Sequence, residues 1–142
     1  MNRQPVYIAA AGIVSPLGSG LAATEAALRA NRSAIAPLEI FPLLQGPPLP
    51  VGQIRKLDTA PMVPRAHRLA REAAHMAMAG CPEPPDAVVL GCTTGGILTT
   101  EQLLREGERN PEAYRFHGLF SLAEYIATLC RCTGPALTVS TA

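Results

Sequence analysis

The chain has 142 residues, and its 12 Lys and Arg against 11 Asp and Glu leave a formal net charge of only +1. Hydrophobic residues make up 48% and charged residues 16%, which excludes an intrinsically disordered chain. The small charge, the 4% aromatic content and the absence of Trp exclude the basic, base-stacking surfaces of nucleic-acid-binding proteins. The length predicts one domain, or part of a larger one.

The first part of the chain predicts a strand, a turn and a helix. Residues 6–14 are continuously apolar, as in a strand buried on both faces, and the segment SPLGSG at 15–20 ends it. Apolar positions in residues 21–30 predict the helix. The apolar run at 6–11 (VYIAAA) is too short for a signal peptide and is bounded by Pro5 and Gly12. No window reaches the roughly 18 to 20 apolar residues of a membrane span. We therefore expect a cytoplasmic protein without a membrane span.

Residues 34–64 form a proline-rich excursion that contains seven of the 14 prolines. Proline lacks the N–H that helices and strand ladders need, so we expect at most a short strand near residues 51–54. Loops of this length inside a domain are usually functional or lie against a partner.

The remaining residues alternate between helices and strands. Helical spacing predicts a helix over 65–79, and buried-strand patterns occupy 86–90 and 136–140. A further helix is predicted over 100–105. A capping box formed by Ser121 and Glu124 predicts a helix that runs to about residue 132. This alternation predicts an α/β fold with a largely parallel sheet.

The cysteines and histidines do not form a complete catalytic set. The four cysteines show no repeated spacing, so we expect reduced, mostly buried thiols. Cys92 lies in the segment GCTTGG at 91–96, where a strand meets a loop, and is a candidate nucleophile. The spacing differs from the G-x-[SC]-x-G of a nucleophile elbow, which favours a structural loop.

His67, His75 and His117 are interpreted as solvated or capping residues. Three histidines and two aspartates offer little material for a metal site or a Ser-His-Asp triad, and we expect neither metal nor cofactor. Arginines recur at positions 65, 68 and 71 of the predicted helix. They are interpreted as an exposed helix face, with contact to an acidic partner as the alternative.

Four segments in order resemble the N-terminal half of a β-ketoacyl-[acyl-carrier-protein] synthase of the thiolase-like superfamily. Residues 6–18 (VYIAAAGIVSPLG) resemble the family's opening strand and its S-P-x-G turn. Residues 65–70 (RAHRLA) resemble a helix that begins with arginine, and residues 91–96 resemble a loop of small residues. Residues 134–142 (GPALTVSTA) resemble the strand leading to T-A-C, whose cysteine carries the acyl chain. The alanines at 9–11 depart from the more usual Thr-Gly.

The resemblance implies a fold and a reaction. The fold would be the N-terminal half of an αβαβα layered architecture, with a mostly parallel mixed sheet flanked by helices, and residues 1–142 would be an incomplete ketosynthase region. The reaction would be decarboxylative Claisen condensation in fatty-acid or polyketide synthesis. Carrier protein transfers its acyl group to the cysteine, and malonyl-carrier protein loses CO2 to give the carbanion that attacks the thioester. Because a helix N-terminus lowers the pKa of a thiol, a cysteine placed after the last strand would be activated.

The same resemblance places residues around the reaction but no catalytic residue in this chain. The nucleophile would follow Ala142, and the family's two histidines belong to the C-terminal half, so these 142 residues alone would be inactive. Thr94 falls where the family lines its acyl pocket. Phe116 and Phe120 lie in the segment expected to approach that pocket near the dimer contact.

The expected partners are acyl carrier protein, the C-terminal half of the same fold, and a second subunit in a homodimer or heterodimer. One alternative is a non-catalytic partner subunit resembling a chain-length factor. The residue after Ala142 separates the two, since cysteine supports catalysis and glutamine supports the partner role. A second alternative is an unrelated small α/β binding domain.

Overall fold

A computed structural model of the chain describes residues 5–39, 46–57, 62–81 and 83–140. These residues form a mixed α/β structure with four α-helices, one 3-10 helix and three separate strand pairs. In chain order the elements are β1 (Val14–Ser15), β2 (Gly18–Ser19), α1 (Leu21–Arg29), β3 (Ile35–Pro37), β4 (Pro50–Gly52), α2 (Arg65–Gly80), β5 (Val88–Gly91), α3 (Ile97–Arg105), the 3-10 helix (Pro111–Tyr114), α4 (Ser121–Leu129) and β6 (Ala136–Val139).

The parallel pair β5–β6 and the helices α2 and α4 form the packed part of the structure. β5 and β6 run in register from Val88 opposite Ala136 to Gly91 opposite Val139. Val88 on β5 and Ile126, Ala127 and Cys130 at α4 form the buried cluster, and α2 supplies apolar residues around it. The predicted helix over 65–79 and the two predicted strands are therefore confirmed, and α3 begins three residues before its predicted start.

The strands of this pair are covered on one face only. Val89, Leu137 and Val139 point away from the helices and are more than half exposed. The prediction of strands buried on both faces is therefore wrong for the described residues. The apolar pattern identified the strands, but burial of the second face requires another layer, which the described part of the chain does not place there.

Residues 6–14 do not form the predicted buried strand. Val6 is 96% and Ile8 90% exposed, and only Val14 and Ser15 pair, antiparallel with β2. The segment instead approaches α2, where a Cβ on Gly12 would lie 1.9 Å from the carbonyl oxygen of Ala73. An apolar run marks a preference for burial, whereas a strand also needs a neighbouring edge to satisfy its backbone groups.

The described part of the proline-rich excursion contains one strand more than predicted. β3 and β4 pair antiparallel, with Ile35 opposite Gly52 and Pro37 opposite Pro50. Each strand is only three residues long, so proline at the pair's end costs little ladder hydrogen bonding. Together with β1–β2, this makes two antiparallel pairs and one parallel pair, fewer parallel contacts than the predicted mostly parallel sheet.

The predicted capping box at α4 is wrong. Phe120 occupies the N-cap position with helical dihedral angles, and Ser121 is the first helical residue. The Ser121 hydroxyl lies 3.1 Å from the carbonyl oxygen of Phe116 and 2.6 Å from that of Gly118, so it points back at the preceding turn. α4 ends at Leu129, with Cys130 as its C-cap, rather than near residue 132.

No helix in the part of the chain that the structure describes combines the length and apolar character needed to cross a membrane.

Candidate functional site

A groove of about 530 Å³ opens at the carboxyl ends of β5 and β6. Parallel α/β folds form their sites at this edge, because the strands end together there and the following loops diverge. The lining is mostly small and apolar and comes from both helices, both strands and the loop after β5: Ala66, Ala70, Leu90, Gly91, Cys92, Thr93, Leu122 and Val139. Such a groove suits an extended apolar chain better than a charged ligand.

The loop at 91–96 closes one side of the groove with main-chain interactions. The amide of Gly95 donates a hydrogen bond to Cys92 Sγ at 3.1 Å, and the amide of Ile97 donates to the carbonyl oxygen of Thr94 at 3.2 Å. Gly95 adopts φ +52°, in the left-handed region that favours glycine. Cys92 is half-buried, and within the described residues neither an imidazole nor a carboxylate bonds to it. This favours the structural-loop interpretation over a nucleophile.

The turn that precedes α4 packs directly against this loop. A Cβ on Gly96 would lie 2.3 Å from the carbonyl oxygen of Phe116, and one on Gly95 would lie 3.6 Å from Leu119 Cδ2. Glycine at position 96 therefore allows the two backbones to approach each other, whereas a side chain at position 95 would make only an ordinary van der Waals contact. The turn braces the wall of the groove.

The three residues predicted from the resemblance lie in this region but in different environments. Thr94 is exposed, and its neighbour Thr93 lines the groove. Phe116 is half-buried, with Arg115 stacked over its ring at 4.7 Å. Phe120 is 67% exposed. The structure thus brings the loop of Thr94 and the turn of Phe116 together through Gly95 and Gly96, while Phe120 faces outward.

His67 is not the solvated or capping residue predicted from the sequence. It has no exposed surface and packs against Phe116 and Tyr125, with ring centroids 4.7 Å and 5.4 Å away. Its Nε2 lies 3.2 Å from Ser121 Oγ. Residue 67 lies three, seven and eleven positions before residues 70, 74 and 78, which pack at the core. That spacing was the sequence signal for its burial.

The other two histidines fit their predicted environments better. His75 and His117 are both exposed. His117 Nδ1 also lies 3.2 Å from the hydroxyl of Thr100, which links the turn before α4 to α3.

The cysteines are all free, as predicted, but they are not mostly buried. Cys130 is buried, and burial raises the pKa of its thiol, with a smaller contribution from Cys132. Cys81 is exposed, while Cys92 and Cys132 are half-buried. Cys81 follows the end of α2 beside a proline, where the chain turns outward, so its small apolar side chain finds no packing surface.

The arginines of α2 are partly buried rather than on a fully exposed face. Arg65 donates to the carbonyl oxygen of Ile54, which ties the proline-rich excursion to α2. Burial and the nearby Arg68 lower the pKa of Arg65. Arg71 lies 3.7 Å from Glu72. These contacts give the arginines structural roles that the sequence pattern did not reveal.

The chain is similar in structure to a known assembly, although sequence comparison finds no relative. No model of a known protein family matches it, and no curated protein matches it. Among solved structures it is similar to a chain described as "The ishigamide ketosynthase/chain length factor", with a TM-score of 0.70 and 25% sequence identity. The match covers 94% of this chain and 39% of that chain, so our chain spans well under half of its length. This likeness supports a relation to the ketosynthases and chain-length factors of the thiolase-like superfamily.

Proposed function

We propose that the chain is the N-terminal region of a ketosynthase-type subunit and that its groove receives the acyl chain of a growing thioester. The observation that carries this proposal is the apolar groove at the carboxyl ends of β5 and β6, in a chain that matches a ketosynthase/chain-length-factor structure over 94% of its residues. The small residues along the lining leave room for an alkyl or polyene chain.

In the catalytic form of this proposal, a cysteine following Ala142 accepts the acyl group from carrier protein as a thioester. Malonyl-carrier protein then loses CO2, and the resulting carbanion attacks the thioester carbonyl and releases the cysteine thiolate. The two histidines of the reaction belong to the C-terminal half of the fold. In this chain, β6 directs the backbone toward the nucleophile, and the groove holds the acyl chain.

The second candidate is a non-catalytic subunit that resembles a chain-length factor and forms a heterodimer with a ketosynthase. The similar solved structure carries both names in its description, and it supports the two roles equally. In this form the groove shapes a shared acyl tunnel, and the position after Ala142 holds glutamine or another residue without a thiol. Both forms use acyl carrier protein as the substrate carrier in the cytoplasm.

Peptide-resolved acylation separates the two forms. The full natural polypeptide is incubated with acyl-carrier protein and digested with trypsin, and the masses of the peptides are measured by mass spectrometry. Because Arg131 is the last basic residue of this sequence, the nucleophile would lie in the peptide that begins at Cys132. The catalytic form predicts an acyl adduct on that peptide, which persists in a Cys132→Ser variant. An unmodified peptide, with acylation only on a partner subunit, supports the chain-length-factor form.

Thr94→Phe tests the predicted pocket. In the complete enzyme or heterodimer, the added ring would shorten the acyl chains accepted, lowering the yield of the longest product relative to a shorter one by about tenfold. Thr133→Phe is the matched control, because Thr133 is exposed and lies at the opposite end of β6 from the groove. An unchanged product length in Thr94→Phe would show that this position does not line the acyl site.

A further inference from the structure

His67 is a titratable group enclosed within the packed part of the structure. It lies on α2, has no exposed surface, and packs against the rings of both Phe116 and Tyr125. These two rings also contact each other edge to face, with centroids 5.9 Å apart. The imidazole is therefore surrounded by aromatic rings. A positive charge on it is less unfavourable there than among aliphatic side chains, but far more unfavourable than in water.

The hydrogen bonds around Ser121 indicate which ring nitrogen of His67 carries a proton. Ser121 has one hydroxyl proton, and its oxygen lies within bonding distance of the carbonyl oxygens of Phe116 and Gly118. Carbonyl oxygens only accept, so that proton is directed to them, and Ser121 Oγ accepts from His67 Nε2 at 3.2 Å. This geometry places a proton on Nε2. Among the described residues the buried Nδ1 has no hydrogen-bond partner, so the neutral form, with Nδ1 unprotonated, is the one that this environment favours.

A second proton on His67 would go to Nδ1, where no acceptor meets it. Burial lowers the pKa of His67, and an interaction with the backbone of Ser121 offsets part of this effect. The charged and titratable groups on the elements packed around the ring are Arg65, Arg68, Arg71, Glu72 and His75 on α2, Arg115 and His117 before α4, and Glu124 and Tyr125 on α4. None of them forms a hydrogen bond with Nδ1.

The contacts of His67 continue to the wall of the groove. Ser121 begins α4 and bonds to Phe116 in the turn before it, and the carbonyl oxygen of Phe116 lies against Gly96. Gly95, which donates to Cys92 Sγ, packs against Leu119 of the same turn. Whatever holds this turn against α2 therefore also holds the loop that lines the groove.

We propose that His67 is a positioning residue and a pH-sensitive latch: its neutral Nε2–H form holds the turn at 116–121 against α2, and protonation in mild acid releases the turn. The proposal depends on the proposed function only in taking the groove behind the turn as an acyl site. Its test reads the turn directly and uses no catalytic activity.

The direction of the pH dependence follows from proton linkage. The pKa of His67 in the closed state lies below its ordinary value of 6.5, so the released state binds the proton more readily. Above about pH 6.5 the closed state keeps its full advantage. As the pH falls through that value, the opening equilibrium constant rises by up to tenfold per pH unit, until the pH reaches the pKa of the closed state.

Hydrogen exchange of the turn in the full natural polypeptide measures this opening. The reporter amides are those of His117 and Ser121, which donate to the carbonyl oxygens of Tyr114 and Gly118 at 2.8 Å and 3.1 Å. After correction for the intrinsic exchange rate at each pH, we expect their protection to fall, by up to about fivefold, between pH 6.5 and 5.5. The amide of Cys132, at the far end of α4, should keep its protection.

Single variants assign the effect to His67. His67→Phe keeps a planar ring between Phe116 and Tyr125 but cannot titrate, so the protection of the turn should lose its pH dependence. His75→Gln and His117→Gln are the matched controls and should retain it. The proposal is overturned if His67→Phe retains the dependence, if His117→Gln abolishes it, or if the unaltered protein shows none.

Nitrogen NMR of histidine-labelled protein provides a test that does not depend on the folding of a variant. At neutral pH, we expect His67 to show a protonated Nε2 and an unprotonated Nδ1, and to titrate below its ordinary value of 6.5. A protonated Nδ1 at neutral pH, or an ordinary titration near pH 6.5, would contradict the latch. These outcomes test only the role of His67. An unmodified tryptic peptide beginning at Cys132, in contrast, tests only the proposed acylation reaction.

Discussion

Residues 5–57 and residues 62–140 use apolar side chains in opposite ways. Within the described residues, the later region packs α2 and α4 onto β5–β6 and buries nearly all of the core. The earlier region buries only Thr24 and Ala27, while Val6, Tyr7 and Ile8 are exposed. Both regions contain apolar runs of similar appearance. The difference shows that apolar side chains stabilise the fold only where a second surface is available to bury them.

The largest effect is expected at the junction of α4 and β6. A Cβ on Gly134 would lie 1.8 Å from the carbonyl oxygen of Asp86, so Gly134→Ala would push β6 away from the segment that enters β5. We expect a loss of more than about 3 kcal/mol in the free energy of unfolding, because both groups are backbone and move only with the strand pair. Urea denaturation of the full natural polypeptide measures this loss.

Gly118→Ala is the control for that substitution, since a Cβ there meets no atom within 4 Å. Equal stability losses for Gly134→Ala and Gly118→Ala would contradict the close approach of the two backbones.

An intermediate effect is expected from truncating matched apolar residues in the two regions. Ile126 is 7% exposed in the core, whereas Leu28 on α1 is 64% exposed. We expect Ile126→Ala to cost about 3 kcal/mol and Leu28→Ala less than about 0.5 kcal/mol, because only Ile126 leaves a cavity. Denaturation midpoints of the two variants test the contrast. A comparable loss for Leu28→Ala would show that the earlier region is covered in the natural protein.

The smallest effect is expected from the ion pair of the earlier region. Arg55 Nε and Nη2 donate to the two carboxylate oxygens of Glu39 at 3.0 Å and 3.1 Å, and both side chains are more than half exposed. We expect a coupling of about 0.5 kcal/mol that declines with added salt. A double-mutant cycle with Arg55→Gln and Glu39→Gln at low and high salt measures it. A coupling that is independent of salt would mean that the pair is shielded from solvent.

Local patterns predicted the later region best. The helix predicted over 65–79 is observed as Arg65–Gly80, and the two predicted strands are observed as β5 and β6. These elements are each encoded by their own periodicity and by the glycines and prolines that end them. The groove at their carboxyl ends follows the general rule for parallel strands.

Predictions that depended on a distant partner were less accurate. The serine and glutamate spacing at residues 121 and 124 satisfied the capping-box pattern, yet the Ser121 hydroxyl turns to the preceding carbonyl groups and to His67. Residues 67 and 121 are 54 positions apart, so no local pattern could connect them. The prediction of a solvated or capping histidine failed for His67, although its helical spacing to residues 70, 74 and 78 already indicated burial.

The sequence by itself determined where the main helices and the parallel strands lie, because hydrophobic periodicity and turn residues act over a few neighbouring positions. It also contained the ordered segments that resemble a ketosynthase. The tertiary structure alone decided that Val6 and Ile8 remain exposed, that His67 is enclosed, and that Gly95 and Gly96 receive the turn of Phe116. These outcomes depend on which surfaces meet, and that depends on packing between segments far apart in the chain.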